Sequence, residues 1–441
     1  MSKFEEYQLK ILKRQKEKGK GKRYLPLFMF VIILMRFVNE ISSYISTYIQ
    51  SAIVNEFFVS KGMSYEQGLA SFSSLSMITS AFVVLSVIYK PLADKIGRKI
   101  MMSINICGIA LGMLLAFISG SALTYLIGVT IYSFFTQNDI QMIYIMESAP
   151  KDKSASTFAF VKAIGILGLL FVPLERQYLL HNDMSLWRKL YLGPVILCIF
   201  IFICFILFMK ESDVFIDNRI YNLEHKNEIK EIKENNNLKD SIKYIKSNKA
   251  LSMSVLAYIF YGICALPAYS YVESLMTING MSSSDITSAM YIYPFVYAFI
   301  CFIAGPIADR LGRKIVVVVT SLCVATGFIF FIYACAHGFN PHLIGLIEGI
   351  YLGSYWVCGD YLSVLFLEKV PTELRSSVTS GANVLMMLGC IIGIAIQMLL
   401  LLKLGLNVAT TSIIIPCMLI CSIIIIFKVK ETKGTNLSDI E

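Results

Sequence analysis

Residues 90–99 read Lys90-Pro91-Leu92-Ala93-Asp94-Lys95-Ile96-Gly97-Arg98-Lys99, and the pattern returns as Gly305-Pro306-Ile307-Ala308-Asp309-Arg310-Leu311-Gly312-Arg313-Lys314. Asp309 lies 215 positions after Asp94, and each copy stands between two long apolar segments. A basic turn that recurs at the same place between apolar segments indicates two related halves. The stretch therefore predicts a duplicated bundle embedded in a membrane.

Apolar segments continue on both sides of these turns. Of the 441 residues, 56% are hydrophobic and 16% charged, whereas soluble domains carry roughly 25% charged residues. A helix needs about 20 apolar residues to cross a bilayer. Runs of this kind occur at residues 25–52, 69–89, 100–119, 122–146, 155–174, 190–209, 250–275, 286–304, 315–335, 342–367, 377–402 and 406–427. We therefore expect an all-α membrane protein with twelve transmembrane helices.

Positive charge is concentrated on alternate loops. Residues 1–24 carry nine Lys and Arg against three Glu, and the repeated turns and residues 210–249 are also rich in Lys and Arg. Basic loops stay on the cytoplasmic side of a membrane. We therefore predict a multi-pass protein of the cell membrane with both termini in the cytoplasm. The basic tail is expected to lie near anionic lipid rather than to bind nucleic acid.

The placement of cysteine and histidine argues against several kinds of site. All eleven cysteines lie in or at the edges of apolar runs and form no Cys-x-x-Cys pair, so they are expected to pack as small hydrophobic residues. No Walker loop, Ser/His/Asp arrangement or metal-spaced histidine is present in the sequence. We expect neither an enzyme nor a metal or cofactor site.

The repeat extends beyond the basic turns. At a constant offset of 221, residues of the fourth run match residues of the tenth, and the pairs are Gly128 and Gly349, Ser133 and Ser354, Phe134 and Tyr355, Phe135 and Trp356, Asp139 and Asp360, Glu147 and Glu368, and Pro150 and Pro371. A Lys-Glu-Ser/Thr element follows the sixth run at Lys210 and the twelfth at Lys430. The predicted organisation is two pseudo-symmetric six-helix bundles, at 25–209 and 250–428, with a basic tail 1–24, a linker 210–249 and a second tail 429–441.

The chemistry of the repeated turns predicts a cluster of charges. Asp94 and Asp309 are expected to cap the N-terminal ends of spans three and nine, where a carboxylate meets free N–H groups. Gly97 and Gly312 permit a tight backbone. The remaining members are expected to form ion pairs, in which Arg98 reaches Glu147 and Arg313 reaches Glu368. Such a cluster would act as a cytoplasmic gate; static anchoring at the membrane interface is the alternative.

Ionisable residues inside the apolar runs are the candidates for a binding site, because each costs roughly 2.5–3.5 kcal/mol at the centre of a membrane helix. They are Arg36, Glu40, Asp139, Lys162, Glu348 and Asp360. Arg36 and Glu40 are four residues apart and share a helix face with Asn39. They form either a self-satisfied pair or a site for a proton and an anionic group.

The two halves differ at these positions. Ser254 and Tyr258 occupy the places that match Arg36 and Glu40, and Asn383 occupies the place that matches Lys162. Lys162 is expected either to extend to the interface or to face a cavity and pair with Asp139 or a substrate carboxylate. Tyr258, Tyr261 and Trp356 are candidates for the cavity lining, with core packing as the alternative.

The turns and their surroundings resemble the major facilitator superfamily of transporters, over essentially all of residues 25–436. The second turn matches the family pattern Gly-x-x-x-Asp-Arg-x-Gly-Arg-Lys throughout, while Lys90 replaces the leading glycine in the first. Glu147-Ser-Ala-Pro150 and Glu368-Lys-Val-Pro371-Thr-Glu-Leu-Arg375 are similar to motifs of the branch that contains sugar porters and metabolite–proton symporters. This resemblance adds Arg375 to the expected gate.

The resemblance implies alternating access between the two sides of a membrane. The paired glutamines that sugar porters carry in span seven are absent from this sequence. Together with the intramembrane charges, this favours a small polar, anionic metabolite carried with protons by a protein that works as a monomer. Glu40, Asp139 and Asp360 are the candidates for proton coupling. A sugar or polyol symporter, a multidrug exporter and a non-transporting receptor are the alternatives.

Overall fold

The protein is described from a computed structural model, which covers residues 3–18, 24–83, 85, 89, 92–136, 140–148, 154–224, 238–370 and 375–432. Within these residues the chain is helical almost throughout. The longer helices of the first half are Tyr24–Tyr44, Gln50–Phe57, Tyr65–Val83, Arg98–Phe117, Ala122–Thr136, Ile140–Ser148, Ser154–Ile166 and Leu192–Phe208. Those of the second half are Lys249–Ile263, Val272–Ile278, Ser283–Leu311, Arg313–Ala336, Pro341–Leu367 and Arg375–Lys428. They form the two six-helix bundles and twelve spans of a membrane protein.

Several spans that we predicted to be continuous are interrupted. Span one breaks after Tyr44, where a 3-10 turn leads into a second helix at Gln50. Span seven breaks at Cys264 and again at Tyr271. Among the described helices, seven are long and apolar enough to cross a membrane without a break. The last of the seven contains both span eleven and span twelve, which meet at Gly405, where φ is 74°. Hydropathy does not detect such breaks, because a broken helix buries the same apolar side chains.

The helices approach closely where glycines face one another. A Cβ on Gly112 of span three would lie 2.7 Å from the carbonyl oxygen of Gly128 in span four. In the second half, a Cβ on Gly393 of span eleven would lie 1.9 Å from the carbonyl oxygen of Ile263 in span seven. Small residues allow membrane helices to pack backbone against backbone. This packing holds the walls of each bundle together.

The molecule has a linker side and a distal side. The linker side carries the repeated turns and the residues after spans six and twelve, and the distal side carries the loops around residues 58–64 and 279–285. Two linker helices, Asp213–Glu224 and Leu238–Ser247, lie on the linker side. A helix at Lys3–Lys18 contacts the first of them through ion pairs of 2.6 Å from Lys13 to Glu224 and from Lys16 to Asp217.

Candidate functional site

A cavity of about 550 Å³ lies between the two halves. This volume suits a small-molecule ligand. The predicted residues that line the cavity are Arg36, Asn39, Glu40, Tyr258, Tyr261, Trp356 and Asp360. Asn383 and Lys162 are not part of the lining but bond to Tyr258 and Asp360, which are. Glu348 lies elsewhere, beside Tyr48 near the distal side. Asp139 is outside the described residues.

Arg36 and Glu40 form an ion pair in the wall contributed by span one. The Arg36 Nη2 and Glu40 Oε1 atoms are 2.5 Å apart, and the Glu40 side chain is only 7% exposed. Their spacing of four residues places both side chains on the helix face that looks into the cavity. The Arg36 Nε–H is buried without a hydrogen-bond partner. One donor of the guanidinium is therefore unsatisfied in this conformation.

Asn39 is held beside this pair by a residue that the sequence analysis missed. Its Nδ2 donates to Gln141 Oε1 at 2.9 Å, and Gln141 Nε2 donates to the carbonyl oxygen of Ile32 at 3.0 Å. These two bonds define the orientation of the Asn39 amide. Its Oδ1 is buried and has no partner. Asn39 thus has an unsatisfied buried acceptor, and Arg36 has an unsatisfied buried donor.

Lys162 of span five forms an ion pair with Asp360 of span ten. We expected Lys162 either to extend to the interface or to face a cavity and pair with Asp139 or a substrate carboxylate, so Asp360 is a partner that we did not name. The contact crosses from the first half to the second. Because half of the Asp360 side chain remains exposed, the pair lies at the margin of the cavity.

A stack of tyrosines forms the wall contributed by the second half. The rings of Tyr258 and Tyr261 are 5.8 Å apart, and those of Tyr261 and Tyr355 are 4.4 Å apart, with interplanar angles of 7° and 12°. Tyr258 donates a hydrogen bond to Asn383 Oδ1 at 3.3 Å. Tyr261 lies against Gly359, where a Cβ would come within 2.4 Å of its hydroxyl oxygen. All three tyrosines line the cavity.

Trp356 lines the cavity and contacts aromatic residues from both halves. Its Nε1 donates to the hydroxyl of Tyr44, which also accepts a hydrogen bond from Tyr293 at 2.8 Å. Tyr44 belongs to the first half, and the other two belong to the second. Tyr44 is not among the predicted site residues, although it lies one turn after Glu40.

Beyond this aromatic layer, buried polar bonds join the halves at the distal side. Arg176 is fully buried and donates to Thr287 Oγ1 at 3.1 Å, to Ser283 Oγ at 3.2 Å and to the carbonyl oxygen of Tyr48. Glu273, also buried, accepts a hydrogen bond of 2.8 Å from the backbone N–H of Ser51. Sequence reasoning missed both charges, because Arg176 lies in a predicted loop and Glu273 two residues from the predicted end of span seven.

The repeated turns make equivalent clusters on the linker side. In the first half, Arg98 donates through Nε and Nη2 to the two carboxylate oxygens of Glu147, at 3.1 and 2.9 Å. In the second half, Arg313 Nε lies 3.3 Å from Glu368 Oε1. The sequence predicted both pairs. Each cluster joins helices of one half, so in this conformation neither ion pair bridges the two halves.

Two glutamates that we did not predict there accept backbone N–H groups at the starts of spans three and nine. Glu211 accepts the backbone N–H of Arg98 at 2.9 Å, and Glu431 accepts that of Arg313 at 3.0 Å. Both belong to the Lys-Glu-Ser/Thr element. Asp309 instead lies in the last turn of span eight and contacts Arg313 at 3.3 Å. The side chains of Asp94 and Arg375 are outside the described structure.

The glycines of the turns make this arrangement possible. Gly97 and Gly312 have φ of 104° and 110°, a region that disfavours residues with a Cβ. A Cβ at either position would also lie 2.3 Å from Oε2 of the capping carboxylate, Glu211 or Glu431. Burial raises the pKa of Glu211, although the hydrogen bonds that its carboxylate accepts from backbone N–H groups lower it in part.

Comparisons with known proteins address the family. The sequence model described as Major Facilitator Superfamily matches residues 29–394 and 265–441. No curated protein sequence matches the chain significantly.

The crystal structure of a D-xylose–proton symporter aligns with a TM-score of 0.73 and 15% identity, over 94% of this chain and 100% of that one. The inward-open conformation of the xylose transporter XylE from E. coli aligns with a TM-score of 0.69 and 14% identity, over 94% and 98%. At these identities, the structures show a shared fold. The family match extends over nearly the whole chain, and the protein therefore belongs to the major facilitator superfamily of membrane transporters.

Proposed function

We propose that the protein is a secondary active transporter that carries a small anionic metabolite together with a proton by alternating access. In this proposal it lies in the cell membrane with the linker side in the cytoplasm, because that side carries the Lys- and Arg-rich segments. The cavity holds the solute. The distal network of Arg176 and Glu273 closes the outer side.

The observation that carries the proposal is the Arg36–Glu40 pair in the cavity wall. While Glu40 is ionised, it neutralises Arg36, and an anionic solute gains little from the pair. When Glu40 takes up a proton, Arg36 is left with an uncompensated charge in a poorly solvated wall, where an anion restores neutrality. Proton binding and anion binding therefore favour each other.

The second ion pair adds a link between solute and conformation. Lys162 and Asp360 come from opposite halves, so their contact depends on how the halves are placed. A solute carboxylate that competes with Asp360 for Lys162 would weaken this bridge. Binding could in this way alter the balance between conformations.

The linker-side clusters are proposed as the cytoplasmic gate. The cluster of Arg98, Glu147 and Glu211 secures the helix ends of one half, and Arg313, Glu368 and Glu431 do so in the other. Because each cluster lies within one half here, we propose that it keeps the helix ends rigid while the halves move as bodies. Asp94, Asp309 and Arg375 remain candidate members of this gate.

A sugar or polyol symporter is the second candidate. The observation that favours it is the Tyr258–Tyr261–Tyr355 stack, because aromatic faces and hydroxyl groups suit a neutral polyol. Both cations near the cavity are also already paired with acids. Two of the structurally similar proteins are named as xylose transporters. A multidrug exporter is a third possibility that no described contact specifically favours.

Uptake into proteoliposomes tests the proposal. A panel of organic acids, amino acids and sugars is offered with an imposed pH gradient, with and without a protonophore. One proton per solute corresponds to about 1.36 kcal/mol per pH unit, so an anion carried electroneutrally should accumulate about tenfold per unit. Glu40→Gln should equilibrate the solute without accumulating it, while Glu66→Gln, at an exposed distal acid, should behave as wild type.

The outcomes separate the candidates. Accumulation of organic acids alone supports the anionic substrate, and accumulation of sugars alone supports the second candidate. Accumulation that is indifferent to both the protonophore and Glu40→Gln contradicts proton coupling at Glu40. Binding without flux would support a receptor.

A further inference from the structure

Glu348 is a buried acid that the cavity does not use. It lies in span ten with none of its surface exposed. Its Oε1 is 3.5 Å from the hydroxyl of Tyr48 in span one, and its Oε2 has no hydrogen-bond partner. Among the described residues, no nitrogen of Lys, Arg or His lies within 4 Å of this carboxyl group. The acid is therefore enclosed without a counter-charge.

Among the residues that the structure describes, the titratable groups facing Glu348 carry no charge near neutral pH. They are Tyr48 from span one, Cys335 from span nine and Tyr351 from its own helix. From span eight, Tyr293 packs against the ring of Tyr48. The surrounding side chains offer no compensation for a negative charge.

The charged residues nearby are directed elsewhere. Arg176 donates to the carbonyl oxygen of Tyr48 and to Ser283 and Thr287. Glu273 accepts hydrogen bonds from Ser51. Arg176 contacts Tyr48 directly, and Glu273 bonds to Ser51, three residues after Tyr48. Both charged side chains therefore form their bonds with other residues than Glu348.

An ionised carboxylate in such a place is strongly disfavoured. Moving a charge out of water without a partner costs far more than moving a neutral carboxylic acid, so a buried acid keeps its proton instead. The carbonyl oxygen of the neutral acid can accept a hydrogen bond from the Tyr48 hydroxyl. Burying the O–H of the neutral acid costs less free energy than burying a carboxylate charge. In the closed distal side, the neutral form of Glu348 is therefore favoured over the ionised form.

We propose that Glu348 is a separate proton-binding site that takes up one proton from the distal compartment when the halves close there. Tyr48 belongs to the first half and Glu348 to the second, so their contact exists only while the distal side is closed. When the halves part, water reaches the carboxyl group, and the proton returns to the compartment that it came from. The reaction is reversible protonation of one carboxylate and needs no other reactant.

This proton makes no net crossing of the membrane, in contrast to the proton proposed for Glu40. The site instead makes closure depend on distal pH, so that acid favours the closed conformation. The inference rests on the alternating-access part of the proposed function. It does not need proton coupling, because closure can be measured without solute.

Distance measurements between spin labels test the proposal. The labels are attached at Lys61→Cys and Ser284→Cys, two exposed distal positions in opposite halves, with the exposed Cys107 replaced by serine. Uptake of one proton on closure predicts that the closed-to-open ratio rises tenfold for each unit of pH decrease, between the pKa values of the open and closed states. Glu348→Gln, which imitates the neutral acid, should be closed at every pH.

Two further variants complete the experiment. Glu66→Gln should keep the tenfold dependence, because its carboxyl group is already exposed to water when the distal side is closed. Tyr48→Phe removes one neutral hydrogen bond and should lower the closed-to-open ratio by about two- to twelvefold at each pH, with an unchanged slope.

Several results would overturn the inference. A tenfold dependence that persists in Glu348→Gln would place the titrating group elsewhere. Failure of Glu348→Gln to fold would show that the site does not accept a neutral side chain of this shape. A changed number of protons per solute in this variant would place Glu348 on the transport route.

Absence of proton-driven uptake with intact pH-dependent closure would contradict only the proposed coupling.

Discussion

The ion pair between Lys162 and Asp360 offers a quantitative test of how the halves are joined. The variants are Lys162→Met, Asp360→Asn and the double variant. A lone charge at the centre of a membrane helix costs roughly 2.5–3.5 kcal/mol. The Lys162 side chain is 22% exposed and that of Asp360 is 50% exposed, so solvent screens part of this cost. We therefore expect each single variant to lose about 1–2 kcal/mol of unfolding free energy.

The double variant should recover most of that loss, since it leaves neither charge unpaired. The coupling energy is the sum of the two single losses minus the loss in the double variant, so it should be about 2–4 kcal/mol. Unfolding in mixed micelles measures the free energies, and uptake by the same preparations measures transport. Lys246→Met, which removes an exposed charge on the linker side, is the control and should change neither quantity.

Stability and transport together distinguish the two roles of the pair. If the double variant is stable but does not transport, Lys162 or Asp360 takes part in solute binding or conformational exchange. If it is stable and active, the pair is structural. A coupling energy within about 0.3 kcal/mol of zero would refute the reasoning, because it would mean that the charges do not compensate one another.

Three other predictions concern packing, the repeated turns and pH. Gly393→Ala should strongly lower stability, because its Cβ would lie 1.9 Å from a carbonyl oxygen. Gly120→Ala is the control and should leave stability unchanged, because no atom lies within 4 Å of its Cβ. Thermal unfolding in detergent compares the stability of the two variants. Arg98→Lys should reduce stability and uptake more than Arg313→Lys, because Arg98 makes two charged hydrogen bonds with its glutamate and is the more buried of the two; equal losses would contradict this. Burial lowers the pKa of Lys369 from 10.5 to about 8, so the unfolded chain binds more protons between these values and stability should rise with pH there. Lys369→Met should remove that rise in a pH series of unfolding free energies.

Some site contacts could be predicted because they repeat. The constant offset between Glu147 and Glu368 marked both as partners of the turn arginines, and the structure contains both ion pairs. The same repeat included the glutamates that cap spans three and nine, but their role was missed. Glu211 lies 113 residues after Arg98 in the sequence, and only the packing of span six beside span three brings the two together.

The sequence by itself determined the membrane setting, the twelve spans, the twofold repeat and the residues that the halves do not share. These follow from hydropathy, charge and internal offset, which are local properties of a chain. The tertiary structure decided which charges meet across the halves. Lys162 contacts Asp360 at a separation of 198 residues, and Tyr48 contacts Glu348 at a separation of 300. Such contacts depend on how two bundles dock, and each bundle could keep its own hydropathy pattern in many docking arrangements.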